Sequence, residues 1–435
     1  MYTPEIDFLP KSEIEKYQET ELCKLLAYVS HNSPFYKDLF NENDVDIRKI
    51  KTLDELKHLP TTSKDDLQQR NWDFLSVPKD RVCEYTTTSG TSGSPVTVAL
   101  TRNDLNRLAY NEYLSFVSAG ADASDIFQLA LTLDKQFMAG MAYYLGAGKL
   151  GAGVVRTGPG APSMQWETIF RIKSTSLVVV PSFILKLIEF ALENDIDLNN
   201  TPVKRAICIG ENIRNQALEL NTIGQKVKEK WNIDLYSTYA STEMQTAFTE
   251  CSHGTGGHSH SELLIAEVLD DVGNPVKPGE YGELTITTLG IEGMPLVRYR
   301  TGDLTTILDT PCECGRNSIR ISPIYGRKQQ MIKYKGTTLY PPAIFDILNT
   351  QRDIKDYLVE VYTNELGNDE ILIHVAAKEN SEKLTNSLKS YLHASLRVRP
   401  EIIFDSIETI QHKQVVGIGR KLSKFIDSRS KPSDS

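Results

Sequence analysis

The feature that most limits the fold is a change of rhythm along the chain. Between residues 83 and 210, short apolar runs at 126–133, 154–155, 177–180 and 206–209 alternate with helical patterns such as 182–193. Apolar runs this short are typical of strands covered on both faces, and an intervening helix returns the chain to the same edge. A mainly parallel sheet clad by helices is therefore expected. From residue 262 the rhythm changes to strand-like segments at 263–269, 282–288 and 305–308. Turn sequences, Asp271-Val-Gly-Asn-Pro and Lys277-Pro-Gly-Glu, join them, which predicts an antiparallel meander.

A third texture begins near Gly326. Segments 359–362 and 371–377 flank the turn Leu366-Gly-Asn-Asp369, followed by a helical stretch at 381–396, a strand at 402–404 and a basic tail. The fold class expected is thus α/β. A large N-terminal domain over residues 1–326 holds the parallel sheet and an antiparallel strand subdomain, and a small α+β domain covers 327–435. At the start of the chain, Ser12 and Glu15 have capping-box spacing before a helical stripe of Ile14, Tyr17, Leu22, Leu25, Leu26 and Val29.

Charge and cysteine usage narrow the function classes. Lys and Arg number 48 against 57 Asp and Glu, a net charge of −9, so nothing general draws the chain to nucleic acid or an anionic membrane. The most apolar window, 177–192, is broken by Pro181, Lys186 and Glu189 and does not suit a membrane span. The N-terminus lacks a basic start followed by an apolar run, so a cytoplasmic location is expected. Six cysteines in 435 residues do not form a disulfide framework. Cys23, Cys83 and Cys208 read as core. Cys251-x6-His258 and Cys312-x-Cys314 instead supply three thiolates and an imidazole, a set suited to structural zinc; His253 or His260 can replace His258 as the fourth ligand.

Four segments carry chemistry. The run Tyr85-Thr-Thr-Thr-Ser-Gly-Thr-Ser-Gly-Ser-Pro95 joins hydroxyls to two glycines between strand-like segments. Such a loop brings backbone N–H groups and hydroxyls onto a polyphosphate, although it lacks the Gly-Lys-Ser/Thr of a Walker loop. Tyr236-Ser-Thr-Tyr-Ala-Ser-Thr-Glu243 groups aromatic rings, hydroxyls and a carboxylate. Tyr299-Arg-Thr-Gly-Asp303 ends a strand with an acid suited to paired ribose hydroxyls. Gly326-Arg-Lys-Gln-Gln330 stands where the texture changes.

In this order and spacing the four segments resemble the adenylate-forming superfamily of acyl-CoA synthetases, and within it the phenylacetate–CoA ligase branch. The similarity begins at Leu9-Pro-Lys and Ser33-Pro-Phe-Tyr36 and runs to Lys421-Leu-Ser-Lys424. The resemblance implies an ATP-dependent ligase that makes an acyl-AMP and then an acyl-CoA thioester, with an aryl acid such as phenylacetate as substrate. It implies that Ser89, Gly90, Thr91, Ser92 and Gly93 hold the ATP phosphates. Tyr239 stacks on adenine, with Gly210, Glu211, Asn212 and Tyr236 around it and Ala240 and Ser241 in the same stretch. Thr242 contacts the α-phosphate, Glu243 acts through Mg²⁺, Asp303 binds the ribose with Arg327 nearby, and Lys421 bridges substrate carboxylate and α-phosphate. Members of this branch with a Cys-x-Cys-Gly-Arg segment bind metal, which supports the zinc reading. The small domain is expected to close over the large one between half-reactions.

The chain also departs from the family pattern. Ser94 replaces the usual lysine before Pro95, Gln329 occupies the hinge position, and Arg420-Lys421 stands where Gly-Lys is common, leaving Lys413 and Lys424 as competitors. Phe137, Met138, Met141, Tyr143, Tyr144 and Phe183 are candidate walls for the acid. A carrier-protein thiol or another acceptor, as in coenzyme F390 synthetase-like relatives, remains open beside CoA. So do a homodimer and a nucleotide-binding protein that has lost catalysis.

Overall fold

A computed structural model describes residues 4–88, 95–364, 368–415 and 423–429. The chain divides into two compact units: residues 1–301 with 305–323, and residues 302–304 with 324–435.

The first unit opens with helices α1 (Lys11–Asn32), α2 (Pro34–Glu42) and α3 (Lys64–Gln69). The buried stripe Ile14, Gln18, Leu22, Leu25, Leu26 and Val29 gives α1 its inner face. The capping box expected at Ser12 and Glu15 is not used. Pro10 occupies the N-cap with no side-chain cap bond, and Ser12 lies inside the helix. Strands β1 (Val82–Thr87) and β2 (Thr97–Thr101) form an antiparallel hairpin.

Strands β3 (Ile126–Ala130), β4 (Gly153–Arg156), β5 (Ser176–Val179), β6 (Arg205–Ile209) and β7 (Asp234–Ser241) then pair in parallel in the order β7-β6-β5-β3-β4. Helices α4 (Arg102–Ser118), α5 (Met138–Leu150), α6 (Pro162–Thr168), α7 (Pro181–Glu193) and α8 (Thr222–Lys230) accompany them. Alternate residues of β5 explain why its apolar run has no polar face. Leu177 and Val179 pack with Trp166, Leu187 and Trp231, whereas Val178 packs with Phe116, Phe127 and Tyr143. Each such aliphatic side chain contributes about 1.5–3 kcal/mol on full burial.

Beyond β7 the sheet turns antiparallel through β8 (Thr246–Glu250) and β9 (Gly257–His258). The meander strands are β10 (Leu264–Leu269), β11 (Gly282–Thr288) and β12 (Tyr299–Thr305), hydrogen-bonded in that order. The strand expected at 305–308 is thereby corrected: β12 ends at Thr305, and β13 (Ile307–Leu308) pairs with β14 (Arg320–Ile321) at the end of the nine-stranded sheet. The Thr305 hydroxyl donates to the Ser322 carbonyl and the Thr306 N–H to the Ser322 hydroxyl, pinning the chain where it changes sheets.

In the second unit, Asp303 and Leu304 pair with Arg327 and Gly326 of β15 (Gly326–Arg327), which is why residues 302–304 of β12 belong to this unit rather than the first. Next come the hairpin β16 (Ile332–Tyr334) and β17 (Thr337–Leu339) and helix α9 (Pro341–Thr350). Strands β18 (Ile354–Thr363), β19 (Asp369–Ala377), β20 (Glu401–Phe404) and β21 (Phe425–Asp427) form a sheet ordered β20-β19-β18-β21. Helices α10 (Glu382–Leu396) and α11 (Ile407–Gln414) complete the unit, whose core includes Val359, Val361, Ile373, Val375, Leu388 and Leu392. No helix among the described residues is long and apolar enough to cross a membrane.

Candidate active site and metal centre

Strand alternation splits the tyrosine-rich segment into two faces. Tyr236 points into the core with Phe116, Tyr143 and Ile209, whereas Tyr239, an odd number of residues on, lies on the opposite face with its ring 6.1 Å from that of Phe248. The two rings therefore do not wall one pocket together. Ala240 is exposed at the strand end, and Ser241, Thr242 and Glu243 are half-buried. The turn from β7 to β8 is held by the Ser241 hydroxyl, which accepts the Met244 N–H at 3.3 Å, while Met244 plugs into the interior. This fastening keeps Thr242 and Glu243 at the tip.

Next to this turn in the sheet, β6 is followed by Gly210, whose φ of +75° suits a residue without Cβ. Glu211 has a structural task. Helix α7 starts behind Val180, which cannot cap it, and the two Glu211 oxygens accept the N–H and hydroxyl of Ser182, each at 2.9 Å. The Asn212 carbonyl accepts the Asn221 amide at 2.8 Å.

Ser89, Gly90, Thr91, Ser92, Gly93 and Lys421 lie outside the described residues. The hairpin leading to the hydroxyl-rich loop is pinned at its neck: the Thr88 N–H donates to the Val96 carbonyl and the Val96 N–H to the Thr88 hydroxyl. In the second unit Asp303 accepts from Arg327 Nε at 3.3 Å. The competitor lysines already have partners: Lys413 reaches Asp405 at 3.4 Å, and Lys424 sits over the Tyr357 ring. Of the candidate acid walls, Tyr143 is fully in the core, whereas Tyr144 is exposed under the Arg156 guanidinium.

The cysteine and histidine residues do converge. The ligand atoms of Cys251, His258, Cys312 and Cys314 all lie within 4.8 Å of one another. Cys251 Sγ is 3.6 Å from Cys312 Sγ, and Cys314 Sγ is 3.5 Å from His258 Nε2. Zinc bonds of about 2.3 Å to sulfur and 2.0 Å to nitrogen give tetrahedral edges of roughly 3.5–3.8 Å, so the residues fit the ion. Burial, reinforced by Arg316 and Arg320, holds His258 down to about 3, which keeps its imidazole neutral and able to ligate. Burial opposes ionisation of Cys312, but hydrogen bonds with the Thr255 hydroxyl, the Cys314 N–H and the Cys314 and Cys251 side chains together hold the thiol below its usual range. Burial pushes Cys251 up to about 12.

Gly256, at φ +100°, lets the first loop pass Ile321, whose carbonyl would lie 2.8 Å from an added Cβ. Arg320 donates to the carbonyls of Thr255 and Thr310, tying both loops together. The alternative histidines are engaged elsewhere: His253 faces Glu313 and His260 meets the Ser115 hydroxyl. Thr255, Ser318 and Arg320 support the cluster without any motif that marks them.

The AMP-binding enzyme family matches residues 8–292, about two thirds of the chain. The chain belongs to this family. Phenylacetate–coenzyme A ligase of Thermus thermophilus is 30% identical over 384 residues, covering 87% of this chain and 85% of the relative. The enzyme of the same name from Escherichia coli is 28% identical over 400 residues, covering 89% and 88%. These relatives place this AMP-binding enzyme on the phenylacetate–CoA ligase branch. Its fold matches a solved 2-hydroxyisobutyryl-CoA ligase in complex with 2-HIB-AMP, with a TM-score of 0.85 and 22% identity over 98% of this chain and 92% of that one.

Proposed function

We propose that the protein activates a carboxylic acid with ATP and passes the acyl group to coenzyme A. The observation that carries this reading is a family match running through both the hydroxyl-rich loop and the turn bearing Thr242 and Glu243. The acid carboxylate attacks the α-phosphorus of ATP, the bond to the β-phosphate oxygen breaks, and pyrophosphate leaves. The CoA thiol then loses its proton, attacks the acyl carbon of the mixed anhydride and releases AMP. Phenylacetate or a related aryl acid is the substrate read from the branch.

The first barrier is largely electrostatic, because an anion approaches an anion. Lys421 neutralises the charge between carboxylate and phosphate. Thr242 donates to the α-phosphate, Tyr239 stacks on adenine, and Asp303 accepts both ribose hydroxyls. Glu243 would hold Mg²⁺, which supplies charge neutralisation on the phosphates when bound. Ser89, Gly90, Thr91, Ser92 and Gly93 cradle the leaving pyrophosphate. The first unit is read as the adenylation body and the second as the carrier of Lys421, with the reaction placed in the cytoplasm. Cys251, His258, Cys312 and Cys314 would hold one structural zinc; four protein ligands leave no open position for chemistry.

Exchange of labelled pyrophosphate into ATP, measured over a panel of aryl and aliphatic acids, tests the adenylation. Acid-dependent exchange supports the reading. Its absence with every acid favours the lapsed nucleotide-binding protein that Ser94 and Gln329 suggest. Exchange followed by transfer only to a carrier-protein thiol would change the acceptor.

A further inference from the structure

Helix α4 carries a polar stripe on a buried face. Arg107, Asn111 and Ser115 recur every four residues, so they share one side of the helix, and all three are buried. A helix face packed on a sheet normally presents aliphatic side chains. Here the polar groups run in step with the start of β8. Arg107 Nη1 donates to the Gln245 carbonyl at 2.9 Å and Nη2 to the Thr246 hydroxyl at 3.0 Å. Asn111 Oδ1 accepts the Ala247 N–H at 3.0 Å, and the Thr249 hydroxyl donates to the Ser115 hydroxyl at 3.0 Å. Arg107 also reaches the carbonyls of Leu289 and Leu263, each at 2.6 Å.

The residue gripped by Arg107 is strained. Gln245 has φ +50°, a left-handed conformation that non-glycine residues rarely hold unless their surroundings impose it. Its side chain does not supply that hold: the amide is buried, and neither its oxygen nor its nitrogen has a hydrogen-bond partner among the described residues. The restraint acts through the backbone, by the Gln245 N–H to the Ser241 carbonyl and by Arg107 on the Gln245 carbonyl. The first bond closes the turn that contains Thr242 and Glu243, and the second fixes its far end.

We propose that Arg107 is a positioning residue for adenylation: by fixing Gln245 and Thr246 it sets the turn that presents Thr242 and Glu243 to the nucleotide. The inference rests on the roles given to those two residues above. Misplacement of a reacting geometry by about an ångström costs on the order of a hundredfold in rate, so a remote clamp can matter to chemistry. The planar guanidinium reaches several oxygens at once, which a lysine ammonium cannot reproduce.

The test compares wild type, Arg107→Lys and Ser115→Ala in three measurements: acid-dependent pyrophosphate exchange, conversion of supplied acyl-adenylate by CoA, and thermal melting. Arg107→Lys is expected to lower kcat for exchange about tenfold or more, with acid KM unchanged and the thioester step within about twofold of wild type. Ser115→Ala, on the same helix face, is expected to lower the melting temperature without that split. If Arg107→Lys does not fold, Thr246→Val removes one acceptor and should show the same split at smaller size. Unchanged exchange kcat in a folded Arg107→Lys or Thr246→Val protein overturns the proposal, as does equal loss in both half-reactions. Wild type without exchange on any acid would overturn the parent reading, and this proposal with it.

Discussion

The Cys/His cluster and the Thr242–Glu243 turn lie at successive points on the same sheet, yet they are built in opposite ways. At the cluster, residues from two loops more than fifty positions apart converge, Cys251 and His258 are buried, and the neighbouring side chains grip the loops rather than face outward. At the turn, consecutive residues stay half-buried at a strand end, and restraint comes from behind through Met244, Ser241 and Arg107. The first arrangement fits a group that is bound once and kept. The second fits a ligand that enters, reacts and leaves.

Substitutions should separate the two. The largest effect is expected from Lys421→Ala, which on the proposed mechanism removes the charge between carboxylate and α-phosphate. Pyrophosphate exchange should fall about 10²–10³-fold with the melting temperature unchanged. Supplied acyl-adenylate should still react with CoA. Normal exchange in this variant, with loss in Lys413→Ala or Lys424→Ala instead, would move the role to another lysine.

Cys314→Ser should do the reverse. Elemental analysis should find one zinc per chain in wild type and none in the variant. Stability should fall by roughly 2–3 kcal/mol, as on removal of a cross-link between distant loops. Protein that stays folded should retain exchange. A wild-type protein purified without chelator and free of metal would remove the zinc site. Metal lost in His253→Ala or His260→Ala but kept in His258→Ala would move the fourth ligand.

Asp303→Ala is expected to weaken ATP binding by about 1.5–3 kcal/mol for each charge-assisted bond lost, read by calorimetry. Unchanged affinity in folded protein would take Asp303 out of the site.

The smallest effect concerns Asp7, which accepts the Ser261 N–H beside the cluster loops. Burial raises its carboxyl to about 6 from a usual value near 3.8. The folded state therefore binds the proton more tightly than the unfolded chain does. Its contribution to stability is full below about pH 4 and is lost as pH rises through 6. Asp7→Asn should flatten melting temperature against pH in that window, and an unchanged profile would show that another group titrates there.

Much of this architecture was legible because burial on both faces leaves runs such as 177–180 with no polar side. The end of β12 was not legible. Residues 299–303 read as a strand ending in a ligand acid, but only the partners of Arg300, Thr301 and Asp303, namely Glu283, the Leu284 carbonyl and Arg327, show what holds such polar residues in it. The thiolate set could be read from ligand chemistry, but the choice among three histidines could not. His258 takes its place through β9 pairing with Thr249 and Arg320. Arg107 was invisible because a single arginine in a helix reads as a solvated charge until its acceptors on other segments are known. Glu211 read as a pocket residue, and its further task of capping α7 through Ser182 has no mark in the sequence.

The most direct measurement is the product set from acid, Mg-ATP and CoA, resolved by mass spectrometry and nucleotide chromatography. AMP, pyrophosphate and an acyl-CoA thioester are expected, formed only when the acid is present and with AMP and thioester in equal amounts. ADP and phosphate in place of AMP and pyrophosphate, or nucleotide turnover independent of any acid, would contradict ligation through an acyl-adenylate.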